Sequence, residues 1–265
     1  MQRGIKQELH KIERKEKKRF SGESKKKPRK TKEWAGKMQE KIPEKLDAAI
    51  GTAFYKAFYM IFEKGAKFVE KTFSKEAKEL EFRVNDFRIA ASSNQKAIRR
   101  SIQKMESSVK RGNRRNVCVT MAEGIGLGVF GVGLPDIPLF LGMVMKGLYE
   151  IATGYGFSYD GQKERVFLLR IICGALAEGE KKQEADAFVE KWMENIEEGE
   201  ILDFDAEVKR ASDALAHSML VAKFIQGLPV AGVLGGIANP FIYHKMMYYA
   251  EMKYKKRYLL QKIKE

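Results

Sequence analysis

The chain has 265 residues, 44% of them hydrophobic and 32% charged, with a formal net charge of +15. That apolar fraction can build a sizeable core, which excludes disorder throughout, and the length suits one large domain or two small ones. The positive charge is concentrated in blocks, so different faces are expected to meet different partners.

Residues 1–32 carry 14 Lys/Arg against 4 Glu, with Ile5, Leu9, Ile12 and Phe20 scattered among them. So little apolar area does not offset the entropy of ordering a chain, and residues 1–39 read as a basic tail, disordered or transiently helical. Its Lys25, Lys26, Lys27, Arg29 and Lys30 are candidates for an anionic leaflet, where each cation is worth about 1 kcal/mol. The opening Met-Gln-Arg-Gly-Ile-Lys lacks the apolar core of a signal peptide, so Sec-type export is not expected. The chain therefore reads as cytoplasmic, peripheral to or partly inserted in the membrane.

From Leu46 to Phe73 the pattern turns helical, with Ile50, Phe54, Phe58 and Phe62 at i, i+4 spacing as a core stripe. A second long helical pattern carries Leu80, Val84, Phe87, Ala91, Ile98, Ile102, Met105 and Val109, interrupted at Ser92-Ser93-Asn94. Lys96 to Arg115 holds eight basic residues against Glu106 alone. Arg99, Arg100, Arg114 and Arg115 in it are further candidates for an anionic surface.

Gly124 to Met145 is glycine-rich and apolar, broken by Leu134-Pro135-Asp136-Ile137-Pro138. Its Leu, Ile, Phe and Val residues favour bilayer insertion by about −3 to −6 kcal/mol, while a central Asp136 opposes with about +2.5 to +3.5. Insertion is marginal, and a hairpin of two short buried helices, with Gly131 and Gly133 permitting close backbone approach, is the competing reading. Asp136 before Ile137-Pro138 reads as a helix cap or as a functional acid. Gly126-Leu-Gly128-Val-Phe-Gly131 matches a dinucleotide fingerprint, but Pro135 and Pro138 follow where a helix should open. Glu150 is an isolated acid beside this segment. Asp160 is placed to cap a helix carrying Val166, Leu169, Ile172, Cys173 and Leu176. Cys118 and Cys173 are the only cysteines and lack metal-ligand spacing, so they read as buried thiols.

Glu178 to Glu207 is acidic and contains an amphipathic helix over Lys181 to Ile196, followed by another from Asp205 to Gln226. In the latter, Asp213 and His217 fall at i, i+4. The second apolar segment, Phe224 to Tyr243, has no formal charge and contains Gly232, Gly235 and Gly236, whose spacing favours close packing in lipid or in a protein core. Asn239 ends it as an isolated polar residue. A final basic stretch supplies Lys255, Lys256 and Arg257 as further membrane candidates.

No stretch shows sustained alternation of apolar and polar residues, so the chain reads as all-α. Residues 40–265 are expected to form a single multi-helix domain with two Gly/Pro-rich apolar hairpin segments, preceded by the basic tail. No catalytic, metal or cofactor constellation is identified, and no cofactor is expected. Three blocks resemble the EcsC family. They are Ile42-Pro43-Glu44-Lys45 with its aromatic helix, Gly131-Val-Gly-Leu-Pro-Asp136-Ile-Pro with Tyr149-Glu-Ile-Ala-Thr-Gly-Tyr-Gly156, and Leu228-Pro-Val-Ala-Gly-Val-Leu-Gly-Gly236-Ile-Ala-Asn239. The resemblance spans residues 40 to about 260 and implies an α-helical protein, in some bacteria encoded beside an ABC transporter, with no established enzymatic activity.

The leading expectation is a non-enzymatic accessory or interaction protein at the cytoplasmic membrane face, with an anionic membrane surface and a membrane protein as partners. One alternative is a lipid-handling or hydrolytic enzyme using Asp136, Glu150 or His217 on an unidentified small-molecule substrate. A second is a nucleic-acid binder, disfavoured because few aromatic residues interleave the basic ones.

Overall fold

The computed structural model describes residues 2–20, 43–65, 69, 73–122, 136–179, 181–194, 203–225 and 240–265. Among these residues the chain is all-α, as its periodicity predicts. The helices are α1 (Gln2–Phe20), α2 (Glu44–Met60), α3 (Lys75–Ala90), α4 (Gln95–Ala122), α5 (Asp136–Gly154), α6 (Gln162–Leu176), α7 (Lys181–Glu194), α8 (Phe204–Ile225) and α9 (Pro240–Lys264). A π-helical turn over Ile61–Gly65 extends α2.

α5 and α9 form the centre; α4 and α3 cover one side and α2, α8, α6 and α7 the other, while α1 crosses α9, touching α4 and, at its C-terminal end, α6 and α7. α5 and α9 run parallel, since Gly147 on α5 faces Tyr243 and Met247 while Tyr155, at the far end of α5, approaches Tyr258. Both helices are therefore buried on two sides, and α9 in particular has no polar stripe of its own.

Local signals explain most boundaries. Ser74 caps α3 by accepting from the Ala77 amide, and Asp203 caps α8 by accepting from the amides of Asp205 and Ala206. Pro240 opens α9, where a missing amide donor costs nothing. The break over Ser92-Ser93-Asn94 separates α3 from α4, as expected. α5 ends in a Schellman turn: the Phe157 amide donates to Ala152, the Gly156 amide to Thr153, and Gly156 adopts φ +84°.

Three expectations are corrected. Residues 2–20 are not a mobile tail but a helix that buries Ile5 and Ile12 against α4 and α9. The missing apolar area is compensated by ion pairs, described below. Leu80, Val84 and Phe87 do not join the core but stand exposed on α3, which instead buries Asn85 and Ile89. Asp160 does not cap α6, whose N-cap is Gly161; its carboxylate accepts from Lys75 and Ser158. Asp213 pairs with Lys209 at 2.5 Å. The residues of the basic stretch 25–30, the glycines Gly131, Gly133, Gly232, Gly235 and Gly236, and Asn239 lie outside the described residues, as do the side chains of Asp136, Arg114, Arg115 and Cys118.

Gly156→Ala should destabilise the domain by about 1–3 kcal/mol, because its left-handed backbone disfavours a Cβ and the added carbon would overpack. A Cβ there would come within 2.3 Å of the Phe82 ring. Urea unfolding measures this, and an unchanged midpoint would show that the ring yields freely.

Candidate functional site

The C-terminal helix brings a dense set of cations into the middle of the molecule. Lys253 is fully buried, with Nζ 2.7 Å from Glu16 on α1 and 2.9 Å from Asp186 on α7, and it also donates to Glu190. Lys256 bridges Glu16 and Glu190 at 2.8 Å each. Lys255 lies 3.2 Å from Glu8 and 3.1 Å from Glu106 on α4. Arg257 Nη1 donates to both carboxylate oxygens of Glu164 on α6 at 2.9 and 2.8 Å, its guanidinium 4.0 Å from the Phe157 ring centroid. Lys262 and the Tyr258 hydroxyl both donate to Asp86 on α3. One helix thus holds carboxylates from α1, α3, α4, α6 and α7.

Glu16, Asp186 and Glu190 present oxygens within 4.8 Å of one another, the span a metal ion would need. Here the Lys253 ammonium stands among them and supplies the positive charge, so the cluster is an internal ion cage. The neighbouring Tyr249 hydroxyl donates to Asp186 at 2.6 Å, and the Arg19 guanidinium covers the Tyr249 ring at 4.1 Å.

The charges shift accordingly. Burial alone would raise Glu106, but the hydrogen bond from Lys110 and the charge of Lys255 outweigh it and hold the carboxyl down at about 2. Glu8 and Glu190 are likewise held low against burial, by Lys11 and Lys255 and by Lys253 and Lys256 respectively. Glu251 goes the other way: burial, reinforced by the charge of Glu106, raises it to about 7 despite Lys110, Lys15 and Lys255. Burial and the charge of Glu207 push the Cys173 thiol up to about 12, which leaves it unreactive.

Two of the candidate catalytic residues, Asp136 and Glu150, stand well apart on one helix. Asp136 begins α5 and Glu150 lies fourteen residues along it, a separation of about 21 Å at 1.5 Å per residue. Glu150 is buried in the seam of α3, α4 and α5, where its carboxylate and the Lys78 ammonium both border Gly112. His217, on α8, faces Asp47 of α2 at 3.5 Å. Lys255, Lys256 and Arg257, read from sequence as membrane-facing, turn inward and are paired. Charge counting cannot reveal this, because their carboxylate partners are up to 247 residues away.

The outer surface carries the opposite arrangement. On α1 the acids Glu8 and Glu16 point in, whereas Arg3, Lys6, His10, Arg14 and Lys17 are exposed and Glu13, half-buried, pairs with His10 at 2.9 Å. Arg99 of α4 is half-buried beside them, donating to Gln7 at 2.6 Å. An open concavity of about 570 Å3 lies here, bordered by Gln7, His10, Lys11, Arg14, Lys17 and Arg99 together with the acid Glu13. Arg100 and Lys104 continue the basic surface along α4. No helix of the described residues is long and apolar enough to cross a membrane.

Comparison with known proteins matches the EcsC protein family model to residues 6–259, starting within α1. Protein EcsC of Bacillus subtilis is 32% identical over 124 residues, 46% of this chain and 50% of that protein. An uncharacterised Bacillus subtilis protein, YdbA, is 29% identical over 164 residues, 58% of this chain and 57% of that protein. The chain thus spans little more than half the length of these relatives. No solved structure matches.

Removing one partner from a buried ion cluster leaves uncompensated charge, so Lys253→Met should cost about 3–5 kcal/mol of stability. A loss below about 1 kcal/mol in urea titration would mean that the three carboxylates are solvated or protonated instead. Glu251 titrates with its folded pKa above the unfolded one, so it lowers stability as pH rises from about 4.5 to about 7, and the penalty is complete above that. Glu251→Gln should therefore raise stability at pH 8, by on the order of 2 kcal/mol, and change it little at pH 4. Equal effects at both pH values would show that the carboxyl titrates normally.

Proposed function

This chain belongs to the EcsC protein family, and we propose that it acts as a non-enzymatic accessory protein at the cytoplasmic face of a membrane. It docks on anionic headgroups and contacts a membrane protein there, a transporter of the ABC class being the partner that the family resemblance implies. The observation that carries this reading is the sorting of charge on α1. Its buried carboxylates are neutralised by α9, and its exposed edge is left cationic, which suits attraction to an anionic leaflet.

The two Gly/Pro-rich apolar stretches of the sequence add a second contribution, so attachment has one part sensitive to salt and one that is not.

Co-sedimentation with vesicles tests this. The full chain should sediment with anionic vesicles and less with neutral ones, and binding should weaken between 0.15 and 1 M salt as the Debye length falls from about 8 to about 3 Å. Changing Arg3, Lys6, Arg14 and Lys17 to Glu should weaken binding at 0.15 M at least tenfold, at roughly 1 kcal/mol per charge near the surface. Substitution is the right probe, because deleting α1 would take Glu8 and Glu16 from the buried shells of Lys253, Lys255 and Lys256. Wild-type protein that stays in the supernatant with every vesicle composition would overturn the reading.

A further inference from the structure

α3 is amphipathic in the wrong sense for a core helix. It exposes Leu80 by 64%, Val84 by 40% and Phe87 by 72%, while burying only Asn85 and Ile89. The intervals of four and three place these side chains on one stripe, continued by exposed Ala91. Single exposed apolar residues are ordinary; an aligned set on one helix marks a contact surface.

The surroundings say what that surface meets. α3 and α4 are antiparallel neighbours, joined where Glu81 and Lys78 reach Ser108. Val84 and Arg88 lie three and seven residues after Glu81, so they share the edge of α3 turned towards α4. On α4, Lys104 and Arg111 lie four residues before and three after Ser108, on the edge turned towards α3, and Arg100 extends the row. All four of these cations are exposed. The nearby carboxylates are mostly engaged: Glu81 accepts from Ser108, and Asp86 from Tyr258 and Lys262, leaving Glu76 and Glu79 at the start of α3.

We propose that the outer face of the α3–α4 hairpin is the part of the molecule that enters the membrane interface, with Leu80, Val84 and Phe87 inserted at the boundary between headgroups and acyl chains and Arg88, Arg100, Lys104 and Arg111 on the phosphates beside them. An apolar stripe edged by Lys and Arg is the arrangement that binds an anionic bilayer in the plane of its surface. A protein groove would satisfy the stripe but leaves the row of cations without a counterpart, so charge complementarity favours the anionic bilayer. α4 lies between α3 and α1, so this face adjoins the cationic edge of α1. The surface then grades from charged at α1 to apolar at α3.

This inference rests on the membrane reading above and is tested separately from it. The full chain and a variant with Leu80→Gln, Val84→Gln and Phe87→Gln are compared on vesicles of anionic and neutral phospholipid, at 0.15 and 1 M salt, with Phe188→Gln on α7 as an exposed-aromatic control. The triple variant should lose at least about tenfold in partitioning to anionic vesicles, with the larger fractional loss at 1 M salt, while Phe188→Gln matches wild type. Circular dichroism should be unchanged, since none of the three side chains is in the core. A Phe87→Trp variant gives a direct readout: its emission should shift to the blue on anionic vesicles and be quenched by lipids brominated near the headgroup. Wild type and triple variant binding equally, or an emission at Phe87→Trp unmoved by vesicles that do bind the protein, would overturn this face and assign the stripe to a protein partner. Failure of wild type to bind any vesicle would instead remove the membrane reading itself.

Discussion

The arrangement depends on the ion pairs that α9 makes inside the molecule. Desolvating an ammonium or guanidinium is costly, and mutual attraction offsets the cost only when partners are well placed and further hydrogen bonds complete the shell. Here Lys253 meets three carboxylates from two helices, and Arg257 donates to both carboxylate oxygens of Glu164, to which Tyr254 also donates. Such contacts add less net stability than an apolar core of equal volume would. What they impose is register. A one-turn slip of α1 or α7 along α9 would strand buried charge, whereas a slip of apolar surface over apolar surface would be tolerated.

This explains why α1 is ordered although it has little to bury. Ile5 and Ile12 alone would not hold a nineteen-residue helix. Glu8 and Glu16 tie it to Lys255, Lys253 and Lys256, and Arg19 at its end donates to the carbonyl of Gly174 on α6 at 2.7 Å. The same contacts select the orientation of the helix. With Glu8 and Glu16 committed inward, the outward side of α1 carries Glu13 among a majority of cations.

The helical class, the break between α3 and α4, and the core stripe of Ile50, Phe54 and Phe58 were legible because each is a local matter of period and turn chemistry. The fate of the charges was not. A lysine at position 253 or 255 and an arginine at 257 look like surface residues to any reading that sees only neighbours in sequence, since Glu8, Glu16 and Glu164 are far away along the chain. The available signal was the composition of α9 itself: tyrosines and methionines occur on most sides of the helix, the mark of a largely buried helix, and buried cations then require carboxylates somewhere. Leu80, Val84 and Phe87 misled in the opposite direction. Helical spacing of apolar residues identifies a face that avoids water, and in this helix that face points away from the core.

The two surfaces proposed for membrane contact are linked through α4. That helix lies between α1 and α3, so its cationic row borders both the basic edge of one and the apolar stripe of the other. If the outer faces of α1, α4 and α3 lie along the bilayer, α4 runs in the plane of the membrane surface without any change in the packing of α5 or α9. The buried ion pairs favour this arrangement, because they hold the contact layer as a rigid unit with its cations already outward. Binding then requires little ordering of the protein, and the cost that usually weakens peripheral attachment is met during folding.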